Sequence, residues 1–98
     1  MVDPASDVYV SAVTIWEAGI KSAAGRLHVR GDLIEHIGRS NFSPLSVTIE
    51  HAATAAKLPP HHKDPFDRML VAQSMREGLT LVTRDTAFSA YDVPVLPA

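Results

Sequence analysis

The chain has no cysteine. A disulfide framework, a thiolate zinc site and thiol redox chemistry are therefore excluded, and the composition suits a reducing cytosol. No uninterrupted apolar run is long enough to span a bilayer, and residues 1–7 show no basic segment leading into an apolar one. Membrane insertion and secretion are not expected, and a cytoplasmic location is. Nine basic residues against eleven acidic ones leave a formal net charge of −2. Bulk electrostatic attachment to nucleic acid needs clustered Lys and Arg, so any contact with a polyanion has to be local. The glycines stand apart at Gly19, Gly25, Gly31, Gly38 and Gly78, which excludes a glycine-rich phosphate loop.

What is present fits one small globular domain over residues 1–98, with 46% hydrophobic and 20% charged residues. The stretch DPFDRMLVAQSMREGLTLVTRDTAF, from Asp64 to Phe88, combines a helix, a strand and three aspartates. Asp64 stands where an N-cap belongs and Pro65 at the first helical position, so a helix starts here with Asp67 in its first turn. Phe66, Met69, Leu70, Val71, Ala72 and Met75 cover more than one face of it, which predicts burial against more than one layer. Gly78 stops it, Leu79 to Thr83 reads as a buried strand, and Arg84-Asp85 opens the next turn or helix.

Taken in order, Asp7 to Val13 predicts a strand buried on both faces. Thr14-Ile15-Trp16-Glu17 has capping-box spacing, and the helix it opens runs to about Ala24 before Gly25. A short helix is predicted from Asp32 to Ile37, broken by Gly38, and a weak strand from Pro44 to Val47. Thr48 caps a helix with Ile49, Ala52, Ala53 and Ala56 at helical spacing, ended by Leu58-Pro59-Pro60. Val93 to Leu96 is a last strand, which Pro94 assigns to a sheet edge. Strands alternating with helices give an α/β fold with a mostly parallel sheet. In such a sheet the strands end, and the returning helices begin, at one rim where ligands bind.

Glu17, Asp67 and Asp85 should all reach that rim. Gathered carboxylates repel unless a proton or cation lies between them, and Mg²⁺ held by carboxylates and waters would serve phosphoryl chemistry. Each acid also has a conformational explanation. Glu17 can be the capping-box partner, Asp67 can complement the helix dipole, Asp85 can start a helix, and Asp64 is foremost an N-cap. The adjacent His61 and His62 read as a solvated loop pair rather than metal ligands. Lys63, Arg68 and Arg84 flank the acids and are candidates for phosphate contact. Trp16 reads as core, and Thr83 either supports the site or caps the next helix.

These residues resemble the PIN-domain ribonucleases, and within them the toxins of VapBC-type toxin–antitoxin pairs. The resemblance rests on VSAVTIWEAGIKSAAGRL, on LPPHHKDPFDRMLVAQSMREGLTLVTRDTAF and on the closing VPVL, in that order. It implies a three-layer α/β/α fold and a Mg²⁺- or Mn²⁺-dependent endoribonuclease site of four acids, inhibited by a cognate antitoxin protein. The WE motif matches Glu17, DR-x-L-x-A-Q matches Asp67 and T-x-D matches Asp85. Asp64 looks like an additional acid of this subgroup.

One departure stands out. Members of the family begin with a strand ending in Asp, and the present chain shows no such segment. By the resemblance that strand is central, between the Asp7 to Val13 and Leu79 to Thr83 strands. An N-terminally shortened PIN domain is therefore expected, lacking its first carboxylate and leaving a gap that a second copy could fill as a homodimer. The expected function is an RNA-cleaving toxin, impaired in this form. The alternative is a non-catalytic remnant that binds antitoxin or dimerises.

Overall fold

Polar caps start the helices and decide where the elements fall. The computed structural model of the protein describes residues 1–25, 41–60, 64–82, 91 and 93–96. Strand β1, Tyr9–Ser11, runs directly into helix α1, Ala12–Ala23. The cap of α1 is Ser11, whose hydroxyl accepts from the Val13 N–H at 3.1 Å. Thr14 is thus an interior residue and the predicted capping box does not form. The local pattern fitted either site, and a long-range partner selects the earlier one: Ser11 Oγ also donates to Gln73 Oε1 at 2.6 Å. Starting one turn earlier buries Val13 and places Glu17, four residues on, along the same side of α1. Trp16 is 63% exposed, so it is not core as predicted. Gly25 follows the helix at φ +75°, in the left-handed region that suits glycine.

Strand β2, Ser43–Leu45, lies parallel to β1 with Tyr9 opposite Ser43 and Ser11 opposite Leu45. Helix α2, Ile49–Lys57, carries the predicted Thr48 cap. The Thr48 hydroxyl accepts from the His51 N–H at 3.1 Å, and His51 Nδ1 accepts from the Thr48 N–H at 3.0 Å, closing a capping box. That pairing holds the imidazole as the Nε2–H tautomer, which donates to Glu77 Oε1 at 2.8 Å. Its inward face differs from the expected apolar repeat. His51 and Ala55 are buried, whereas Ile49 is 85% exposed and Ala52, Ala53 and Ala56 are also exposed. A buried imidazole is tolerated there because both ring nitrogens are hydrogen-bonded.

Helix α3, Pro65–Glu77, is bounded as its sequence predicts. Asp64 Oδ1 accepts from the Phe66 N–H at 2.9 Å and the Asp67 N–H at 3.5 Å. Gly78 ends the helix at φ 67°, ψ 37°, with its N–H on the Ser74 carbonyl. Its middle turn, Val71 to Ser74, is buried throughout, and the helix packs against α1, α2 and strand β3, Leu81–Val82. Met75, expected to pack, is instead largely exposed. Two of the four buried residues are polar, and both are satisfied. Gln73 Nε2 donates to the Ser46 carbonyl at 3.3 Å and lies 3.4 Å from His51 Nδ1, while the Ser74 hydroxyl donates to the Leu79 carbonyl.

Strand β3 pairs in parallel with β4, Val95–Leu96, placing Leu81 opposite Val95. Val71, Leu81 and Tyr91 form a core against which Leu58, Leu70, Val93 and Val95 pack. The parallel strands of the expected α/β class are present, as two separate two-stranded sheets. Between them, where the sequence suggested a gap, Val2 bridges antiparallel to both Val8 and Thr80. Val2 and Thr80 exchange both backbone hydrogen bonds, at 3.0 and 2.8 Å. The predicted helix from Asp32 to Ile37, residues 61–63 and the turn at Arg84-Asp85 lie outside the described residues. Among the described residues no helix is long and apolar enough to cross a membrane.

Two stability measurements test these assignments. Gln73→Leu removes the acceptor of the Ser11 hydroxyl and should lower the free energy of denaturant unfolding by about 1–3 kcal/mol, the usual cost of orphaned buried polar groups. Asp64→Ala should cost about 1 kcal/mol, whereas Asp64→Asn, an equally good cap, should cost only a few tenths. Equal losses for the two Asp64 variants would contradict the capping role.

Candidate functional site

Two helices bring three of the described acids to one place. Glu17 projects from the second turn of α1 toward α3, and Asp67 lies in the first turn of α3, just beyond the Asp64 cap. One carboxylate oxygen from each of Glu17, Asp64 and Asp67 falls within 4.8 Å of the other two. All three residues are half-buried, so the cluster is neither sealed in the core nor fully hydrated. Asp64 serves two ends at once. Its Oδ1 caps α3 and fixes the carboxyl group, and the same side chain contributes to the cluster.

Closely set carboxylates repel one another. Carboxylates about this far apart repel by on the order of 3 kcal/mol per pair at an effective dielectric constant of about 20, before solvent screening reduces it. Among the described residues, Lys21 Nζ lies 3.6 Å from Glu17 Oε2 one helical turn away. Oxygen-only donors at this spacing suit a hard divalent ion such as Mg²⁺ or Mn²⁺, and the absence of cysteine from the chain removes the thiolate ligands that favour zinc. The residues present therefore fit a carboxylate-held divalent cation.

Of the acids singled out in the sequence, Glu17 and Asp67 are brought together, and Asp64 joins them as a full member of the cluster. The signal for Asp64 was already in the Asp-Pro-x-Asp spacing. An N-cap and a first-turn residue three positions on lie on adjoining parts of one helix end. Asp85, Thr83, Lys63 and Arg84, like His61 and His62, lie outside the described residues. Arg68 turns back to the end of α2, where its guanidinium donates to the carbonyls of Ala55 at 2.9 Å, Leu58 at 2.9 Å and Pro59 at 3.1 Å. It anchors α3 to the C-terminal carbonyls of α2. Tyr91 donates its hydroxyl to the same Pro59 carbonyl at 2.9 Å.

His51 and Gln73 were not singled out by the sequence, yet both help position the helices around the acids. His51 at the third helical position, where Glu or Gln usually completes a capping box, was the local clue. Beside the cluster, Trp16 and Phe66 meet edge to face, with ring centroids 4.8 Å apart and planes at 77°.

Comparison with curated proteins gives no match. The PIN domain family, by contrast, matches residues 2–94, nearly the whole chain. PIN domains are generally nucleases that typically use a divalent metal, in agreement with the clustered acids of α1 and α3. The chain belongs to the PIN domain family, a nuclease family.

Proposed function

We propose that this PIN domain is a Mg²⁺- or Mn²⁺-dependent endoribonuclease of the VapC toxin type, acting in the cytoplasm and restrained by a cognate antitoxin protein. The observation that carries the reading is the convergence of Glu17, Asp64 and Asp67 within 4.8 Å. Glu17 and Asp67 would hold the ion directly or through water, with Asp64 beside them. The T-x-D resemblance assigns Asp85 to the same site as a further acid, supported by Thr83, and assigns Lys63 and Arg84 to the phosphate.

When bound, the cation offsets the carboxylate charge and lowers the pKa of the water that hydrolyses the phosphodiester. The chain supplies placement. Asp64 is fixed by two backbone N–H groups, and Glu17 is steadied by Lys21. Half-burial leaves the acids open to a strand of RNA and to water. Hydrolysis of this kind needs no protein nucleophile, which accords with the lack of cysteine. Homodimer formation belongs to the same proposal.

Cleavage of a single-stranded RNA with Mg²⁺ or Mn²⁺ tests it. EDTA should abolish cleavage. Asp67→Asn should lower the rate by more than about 100-fold, because loss of a ligand should exceed the usual cost of losing a ligand's supporting partner. Cleavage that survives EDTA, or an Asp67→Asn protein as active as the parent, would overturn the catalytic assignment. A folded but inert parent that still captures an antitoxin would favour the non-catalytic alternative.

A further inference from the structure

Trp16 is the largest exposed aromatic among the described residues and the only tryptophan in the chain. It sits on α1 next to Glu17 in sequence and against Phe66, which lies between Asp64 and Asp67. The Phe66 backbone N–H donates to Asp64 Oδ1, so this ring belongs to the same helix end that presents the acids. Edge-to-face contact with one partner covers at most one face of the indole, and Trp16 retains 63% of its surface. The contact holds the ring against the helix end that carries Asp64 and Asp67, and leaves π-surface open.

An exposed indole of this size normally contributes stability by being covered. Here, Val13 takes the inward position on α1 and Trp16 does not contribute to the core. The charge of the protein adds a second argument. With nine basic and eleven acidic residues, and with acids at the site itself, attraction for a polyanion has to be supplemented by something uncharged. Stacking of a base on an aromatic face is such a term, and it is tolerant of sequence because every base has a π-face.

We propose that the open face of Trp16, braced by Phe66, is a stacking platform for an unpaired nucleobase next to the phosphodiester at the Glu17, Asp64 and Asp67 cluster. The proposal rests on the nuclease reading for its choice of ligand. Ile20, one turn further along α1 and also exposed, extends the apolar surface beyond the indole. A protein partner would use that whole stripe, whereas a base needs only the ring that is held by Phe66 and precedes Glu17 in the chain.

Because Trp16 is the sole tryptophan, its fluorescence reports the contact directly. Emission is followed in EDTA, where cleavage is blocked, while a short single-stranded RNA or an abasic strand of equal length is added. Both strands carry the same phosphates, so repulsion from the acids cancels in the comparison. The base-bearing strand should quench and the abasic strand should not. Trp16→Ala should weaken binding of labelled RNA by about 5- to 100-fold, and Trp16→Phe should keep most of the affinity, as expected for a contribution of about 1–3 kcal/mol per stacked base. Circular dichroism confirms that each variant is folded. Equal quenching by both strands, or unchanged RNA affinity in Trp16→Ala, would overturn the platform. So would emission that changes on dilution without RNA, which would mean that a second copy covers the indole. Quenching by a protein that cleaves no RNA would leave the platform standing and remove the nuclease reading. Cleavage without quenching would do the reverse.

Discussion

The hydrogen bond from Ser11 Oγ to Gln73 Oε1, 2.6 Å long and fully buried, is the contact on which the arrangement of the helices turns. Ser11 ends β1 and caps α1, while Gln73 sits in the buried turn of α3 and reaches on to Ser46 and His51. One carboxamide thereby ties the start of α1, the segment after β2 and the cap of α2 to the middle of α3. Each of these groups would carry a desolvation cost if left unpaired, so the network admits one relative placement of the helices. That placement turns the Val13 and Glu17 side of α1 toward α3 and brings Glu17 to the acids at its N-terminus.

The cluster also shows how structural and chemical roles coincide. Asp64 is held by the α3 N-terminus, where backbone N–H groups and the helix dipole stabilise negative charge. That local stabilisation makes it tolerable to gather further carboxylates at the same helix end. Arg68 secures the other side of this end by crossing to the last carbonyls of α2. Glu17 and Asp67 therefore stand on two helices, with Asp64 at the cap of one, and sites built on helices are more precise than sites on loops.

Much of this was legible in the sequence wherever the signal was local. Asp64-Pro65 and Gly78 bounded α3, and Thr48 with Leu58-Pro59-Pro60 bounded α2, because caps and prolines act within a few residues. The misplacements came from contacts between distant segments. Thr14 and Ser11 were both competent caps, and Gln73, 62 residues away, selects Ser11. On the helix so started Val13 is buried and Trp16 is exposed. On α2, apolar spacing pointed to Ile49 and the alanines, but hydrogen bonds from Thr48 and to Glu77 allow His51 to occupy the interior instead. The strands proved shorter than their apolar stretches, since pairing partners limit a strand as much as its side chains do.

At the site, Glu17 and Asp67 lie together with Asp64, which caps α3 as expected, while Asp85 lies outside the described residues. Direct measurement of divalent binding tests the central claim, that the pinned helices make these acids a cation site. Titration calorimetry with Mn²⁺ should show one ion per chain, with binding strongly weakened in Glu17→Gln while the variant's unfolding transition stays close to that of the parent. Absence of binding in the parent, or equal affinity in Glu17→Gln, would contradict the account.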